Sequence, residues 1–540
     1  MKNIVRYLLI AIMSITLATS TYAEKVPGES PGNSGKKIAA GCLPATSATE
    51  LDLNNVRARI NTGGDMWWDL MGNPQYEIPK GSKKMSMFSA SLWIGGVDVN
   101  DQLKLAAVRY RQVGNDFWPG PLTIDGTAAI SDDVCAEYDK HFNITRAQVA
   151  EFLSYVDDAT GQFIPTTDYQ APPKVIQDWP AHGDVTKGQS QFLAPFFDRN
   201  GDDYYDWQDG DYPYYDFDLT NALCKSNQPT IESIYGISRG GILADQILKG
   251  DQTLWWVFND KGNIHSETLG EPIGLEIRGQ VFSFATNDEI NDMTFYSYEI
   301  INRSTFRLAE TYFSQWVDPD LGYAYDDYVG CDVERGLGYC YNGPEIDGNG
   351  QAWAYGEQPP AVGVDFFQGP YMDPDGLDNP KFKTVYSIDS VTGTILDSTV
   401  TQICDVSING VNFGDGIIDN ERFGMRRFVY HNNTGVANYM TDPSVAVEYY
   451  NFLRGIWKDG TRMIYGGNAH PSGGGYGPEC DFMFPGDSDP CNWGTGGTPP
   501  NGPVYWTEKE AGNNAYDRRF MQSAGPFTLE SGACNYITVC

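Results

Sequence analysis

From Leu51 onward the chain repeats one rhythm: short runs of Phe, Tyr, Val and Ile, broken by Gly, Pro, Asn or Asp. That rhythm predicts many short strands joined by turns. Ser86 to Gly96 reads as a strand ending in a Gly turn, with Val99 to Tyr110 as its hairpin partner. Gly274 to Ala285 alternates apolar with small or polar residues, and Met293 to Ile301 and Leu308 to Val317 follow across two short turns. Three such strands in succession predict a meander, as in one sheet of a β-sandwich. Helical spacing is confined to two stretches. Thr145 to Val156 places Val149, Phe152, Leu153 and Val156 on one face behind a capping Thr145, and Asp442 to Trp457 is the second. Gly473 to Pro503 reads as a long loop. The expectation is an all-β chain of one or more β-sandwich-like domains, with long Gly/Asp-rich loops and one or two short helices. Its folded part divides into an N-terminal β-rich region (51–270), a central β-sandwich region (271–400) and a C-terminal β-rich region (401–540).

The N-terminus changes the compartment. Lys2 and Arg6 precede a short apolar run, Leu8 to Leu17, and Thr21-Tyr22-Ala23 ends in a small residue. This is the pattern of a secretory signal peptide over 1–23, too short to span a membrane. Residues 24–50, rich in Gly, Ser, Pro, Lys and Ala, read as a flexible leader. No later apolar run reaches spanning length. In an exported chain the ten cysteines favour disulfides, and short loops make Cys331–Cys340 and Cys480–Cys491 the easiest pairs to propose. No C-x-x-C occurs and the five histidines are scattered, which argues against structural zinc.

Charge narrows the partners. With 37 basic and 71 acidic residues among 540, the formal charge is −34, which repels nucleic acid and anionic lipid. Yet 41% of residues are hydrophobic and 13% aromatic, unlike a disordered acidic tail. Part of the acid is patterned. In Asp198-Arg199-Asn200-Gly201-Asp202-Asp203-Tyr204-Tyr205-Asp206-Trp207-Gln208-Asp209, side-chain oxygens fall at positions 1, 3, 5, 9 and 12, and Tyr204 at position 7 offers a backbone carbonyl. That is the ligand spacing of an EF-hand-type calcium loop, with Asp203 in place of the turn-easing Gly and Asp209 in place of Glu. A second calcium site is expected from Asp318, Asp320, Asp326 and Asp327, with Asp332 nearby. Asp373-Pro374-Asp375-Gly376 with Asp378, and Asp415 to Glu421, read as weaker acidic turns.

Catalytic patterns are few. Gly236-Ile237-Ser238-Arg239-Gly240 fits G-x-S-x-G, but the chain lacks the strand–helix rhythm that motif requires, and no base among His265, His431 and His470 is marked by context. No carboxylate pair is singled out for glycoside hydrolysis. Trp67-Trp68 and Trp255-Trp256, if on strands, point one residue in and one out, so an outward ring could stack on sugar; core packing is the commoner use.

Several phrases carry a resemblance when taken jointly: Leu53 to Asp69, Ser91-Leu92-Trp93-Ile94-Gly95-Gly96, Asn115 to Pro121, Asp209-Gly210-Asp211-Tyr212-Pro213, Trp316 to Gly322 and Arg519 to Leu529. The chain resembles large exported β-rich surface proteins of Bacteroidetes-type bacteria, often cargo of the type IX secretion system. The resemblance implies a cell-surface or released protein. Such cargo carries a C-terminal β-sandwich sorting domain, whereas this sequence stops at Asn535 to Cys540, the end of a fragment or of a differently processed chain. The expectation is a non-enzymatic structural or adhesive surface protein (a layer, sheath or filament subunit) stabilised by calcium and disulfides. It would associate with itself or with other surface proteins. The alternatives are a polysaccharide-binding surface protein and, behind it, a secreted hydrolase.

Overall fold

The strand Ser89–Val97 sits near the middle of the largest sheet, and its sequence explains the position. A Cβ on Gly95 would lie 2.8 Å from the Leu105 side chain, and one on Gly96 2.8 Å from the carbonyl of Ala309. The two glycines therefore lie inside the strand, letting Leu103–Ala107 and Leu308–Asp318 approach from either side, and do not end it in a turn. The computed structural model describes residues 41–214, 248–403, 407–433, 436–500 and 505–540. The signal-peptide span and the Gly236–Gly240 motif lie outside the described residues.

The chain is all-β, as the punctuation predicts. One ten-stranded antiparallel sheet runs in the order Arg427–His431, Arg519–Leu529, Leu308–Asp318, Ser89–Val97, Asp65–Met66, Arg57–Asn61, Tyr76–Glu77, Met85–Met87. Ala48–Leu51 and Leu103–Ala107 pair alongside this path. A six-stranded sheet runs Cys534–Val539, Phe295–Asn302, Leu275–Ser283, Gln252–Asn259, Trp118–Pro119, with Phe142–Thr145 also on Gln252–Asn259. Strands from all three sequence regions thus share sheets, and Ala39–Cys540 forms one compact unit. Cys42 is disulfide-bonded to Cys135 and Ala48–Leu51 is an edge strand, so the end of the expected leader belongs to the fold.

The meander needs one correction. Leu275–Ser283 and Phe295–Asn302 pair as expected, but Leu308–Asp318 crosses to the larger sheet, between Ser89–Val97 and Arg519–Leu529. The two sheets share one continuous core. In it Trp93 stacks on Trp316 at 5.8 Å, and Trp67 lies edge-on to Tyr296, donating its indole N–H to the phenol oxygen at 2.7 Å. Such pairs add about 0.5–1.5 kcal/mol each beyond area burial. The outer face of the six-stranded sheet is covered as well, by Arg146–Leu153 and the loops around Trp179 and Phe192. That helix begins with a capping box between Thr145 and Gln148. The second expected helix forms over Ala446–Leu453 and packs its Tyr449 and Phe452 into the larger core.

The local disulfides do not form. Cys331, Cys340 and Cys480 are buried free thiols, and burial pushes the first two well above the usual thiol range. Cys331 and Cys340 lie on paired strands but out of register, opposite Gly338 and Val329. Among the described residues no helix is long and apolar enough to cross a membrane.

Candidate cation centres

The Leu308–Asp318 strand runs antiparallel to Arg519–Leu529, with Val317 opposite Phe520. The C-terminal end of one therefore meets the N-terminal end of the other. This register brings Asp318 and Asp320 to Asp517, although the two segments lie about 200 residues apart in sequence. Each carboxylate offers one oxygen, and the three oxygens lie within 4.8 Å of one another. Calcium–oxygen distances are about 2.3–2.6 Å, so oxygens that close can share one ion.

Among the described residues, one guanidinium and two neutral donors bond the group. Arg519 bonds Asp517 through Nη1 and reaches Asp318 Oδ2 through Nη2 at 3.3 Å. The Tyr110 hydroxyl donates to Asp318 Oδ2 at 2.6 Å, and Asn433 Nδ2 to Asp517 Oδ2 at 2.9 Å. Two acceptor positions remain. Asp318 Oδ1 receives no hydrogen bond although the residue is only 1% exposed, and half-buried Asp320 accepts no hydrogen bond at its carboxylate among the described residues. Three carboxylates against one guanidinium leave a local charge of 1 − 3 = −2 when all are ionised. Burial raises Asp318 well above the usual carboxylate range; burial with the Asp517 charge pushes Asp320 up to about 7, and burial raises Asp517. A hard divalent ion held by these oxygens would cancel that charge and accept the lone pairs left without a donor.

Asp326 and Asp327, expected beside Asp318 and Asp320, form a neighbouring group instead. Asp327 Oδ2 accepts from the Leu321 N–H at 3.1 Å and Asp326 Oδ2 from the Gly348 N–H at 2.9 Å. Asp347 binds the N–H groups of Tyr323 and Tyr355. These three carboxylates fold the connection after the strand onto itself, and Asp332 pairs with Arg335. Asp517 takes the place expected of Asp326 and Asp327. Nothing near it in sequence marks it, and only the strand register supplies it.

The Asp198–Asp209 loop winds much as its spacing predicts. Asp198 accepts from the N–H groups of Gly201 at 2.6 Å and Asp203 at 2.9 Å. Asn200 Oδ1 accepts from Asp202, and Asp202 Oδ1 from Tyr204. Asp203 adopts the left-handed conformation (φ 76°) that position 6 demands and that Gly would adopt freely. Asn200 Nδ2 lies 3.1 Å from Asp202 Oδ2 and 3.3 Å from Asp209 Oδ2, so positions 3, 5 and 12 face one another. One expected ligand points elsewhere. The Asp206 side chain caps the Trp207–Asp209 turn at Gln208 N. The residue that sequence reasoning missed is Asp211. It is fully buried, accepts from the N–H groups of Arg199 at 2.8 Å and Asp206 at 2.9 Å, and is pushed by burial up to about 7. Among the described residues the carboxylates of this loop do not converge as the Asp318–Asp320–Asp517 group does.

No family model, curated protein or solved structure matches the chain. Trp67, Trp68, Trp255 and Trp256 are all buried, so neither pair presents a ring to sugar. Trp255 and Trp256 do point to opposite faces of the six-stranded sheet, but both faces are covered. The histidines named as candidate bases are engaged internally. His265 faces the carbonyls of Leu105 and Asp260, His431 accepts from Trp316 Nε1 at 3.0 Å, and His470 stacks on Tyr439.

Proposed function

We propose that this chain is an exported structural or adhesive protein of the bacterial cell surface, with no enzymatic activity, whose loops calcium fixes to a rigid β scaffold. The observation that carries this reading is the group Asp318, Asp320 and Asp517, placed where two adjacent strands of the largest sheet end. An ion there joins distant segments of one sheet, which is a structural use of a cation. The buried orphan oxygen of Asp318 fits a hard ligand better than it fits an empty core. A second calcium is assigned to the Asp198–Asp209 loop on its ligand spacing, with Asn200, Asp202 and Asp209 facing one another. Export rests on the signal-peptide pattern, and the cell surface on the family resemblance. The internal engagement of His265, His431 and His470 supports a non-catalytic role.

Two measurements test the reading. Calcium titration by calorimetry on the full chain should give saturable binding that Asp320→Asn weakens at least tenfold; heat unaffected by Asp320→Asn overturns the centre. Immunogold labelling of intact cells should place the protein at the outer surface, and label confined to the cytoplasm overturns the location.

A further inference from the structure

The hairpin of Phe382–Ile388 and Ile395–Gln402 belongs to neither large sheet. It is a separate two-stranded sheet, and every residue of Phe382–Ile388 is exposed. Its register sorts the side chains onto two faces. Opposite pairs share a face, so Phe382, Thr384, Tyr386, Ile388, Ile395, Ser398 and Val400 point one way, joined by alternation along the strand by Leu396, the unpaired residue at a bulge, and Lys383, Val385, Ser387, Asp397, Thr399 and Thr401 point the other. The first face is the apolar one: Phe382, Tyr386, Leu396 and Val400 are 55, 54, 65 and 67% exposed. A two-stranded hairpin with an uncovered apolar face is marginal in water and gains stability when that face is covered.

We propose that this face packs on the same face of a second copy of the chain. The inference deepens the surface-protein reading by naming its partner, and it rests on that reading. Charge selects the occupant. The chain carries −34, so copies repel across most of their surfaces. Residues 381–402 carry Lys381, Lys383, Asp389 and Asp397, a net charge of 2 − 2 = 0. Two hairpins can therefore meet without confronting like charge, whereas a basic partner would be drawn to the acidic faces instead. Face-to-face contact about a twofold axis also buries the same residues on both sides and closes at two. Area sets its strength. Four half-exposed side chains supply on the order of 400 Å² per copy, about 800 Å² in all, below the 1,200–2,000 Å² of stable interfaces. The pair contact is weak in dilute solution and becomes effective where copies are held side by side, because tethering raises the effective concentration.

Sedimentation equilibrium of the full chain with calcium, from about 10 µM to about 1 mM, tests this. The expected result is a monomer at the low end and a saturable dimer at the high end. Leu396→Lys should weaken the dimer at least tenfold, whereas Ser387→Lys, on the opposite face, should leave it unchanged. Neither substitution should move the melting temperature, which checks that the fold is intact. A wild type that stays monomeric at about 1 mM, a Leu396→Lys variant that pairs as tightly as wild type, or growth to polydisperse aggregates without saturation each overturns the proposal. Immunogold labelling reports separately on the cell-surface reading. A labelled surface with a monomeric protein sinks only the hairpin contact, and absence of label with dimerisation sinks only the location.

Discussion

Asp320 is the residue on which the cation centre can be tested most cleanly, because among the described residues no donor bonds its carboxylate. In the metal-free protein it adds repulsion to Asp318 and Asp517. Asp320→Asn should therefore leave the metal-free protein at least as stable as wild type at pH 7.5, while abolishing most of its stabilisation by calcium. Scanning calorimetry with and without chelator reads both. A variant that calcium still stabilises as much as wild type removes Asp320 from the centre. The neighbouring group makes a second residue-scale prediction. Gly322 has φ 72°, and a Cβ there would lie 1.9 Å from Asp347 Oδ2. Gly322→Ala should cost about 1–3 kcal/mol in denaturant unfolding, because it adds left-handed strain to a clash with a carboxylate that holds the loop. Wild-type stability in that variant would mean that the loop does not depend on Asp347.

Among the elements, the helix Arg146–Leu153 is short and weakly amphipathic, so its N-terminus matters more than it would in a long helix. Thr145 accepts from Gln148 N while the Gln148 side chain accepts from Thr145 N. Thr145→Ala should lower unfolding stability by about 1 kcal/mol, checked by urea denaturation, and loss of less than a few tenths would make the cap redundant with packing of Val149 and Phe152. This helix and its cap were legible in the sequence, as were the strands, because each depends on local spacing. The destination of a strand was not. Leu308–Asp318 is buried along nearly its whole length, so its pattern does not distinguish the sheet of its predecessor from the sheet opposite. The same limit applies to Gly95 and Gly96, which look like a turn because the chain passing beside them, at Leu105 and Ala309, is remote in sequence. The candidate site divides along the same line. The Asp198–Asp209 loop is contiguous and could be read. The Asp318 group needed Asp517, and a register between strands about 200 residues apart has no local signal.

Across the whole molecule, the surplus of acid becomes a dependence of stability on pH and calcium. Asp320 and Asp211 titrate at about 7 in the folded chain, against 3.8 for an unperturbed Asp, and Asp318 lies higher than usual as well. Between those values the folded state binds more protons than the unfolded state, so these groups make stability fall as pH rises from about 4 to about 7. The penalty is absent below the unfolded value, where both states are protonated, and complete above the folded one. Carboxylates held low behave oppositely. Arginines hold Glu276 at about 2 against the opposing effect of burial, and Asp442 is kept at about 2, chiefly by His431, so their contributions are lost only as pH falls below about 4. The metal-free protein should therefore be more stable near pH 5 than at pH 7.5. Calcium should narrow the difference by removing part of the charge that burial penalises. At a free calcium of 100 times its dissociation constant, one site adds about 2.7 kcal/mol. With an unfolding entropy of roughly 2.1 cal/mol/K per residue over about 500 residues, that is a rise of about 2–3 °C at pH 7.5. At pH 5, where protons already occupy the carboxylates, the same calcium should raise the melting temperature by less than about 1 °C. Melting curves at the two pH values, each with calcium and with chelator, decide the matter: an equal calcium shift at both would mean that the ion binds groups other than these raised carboxylates.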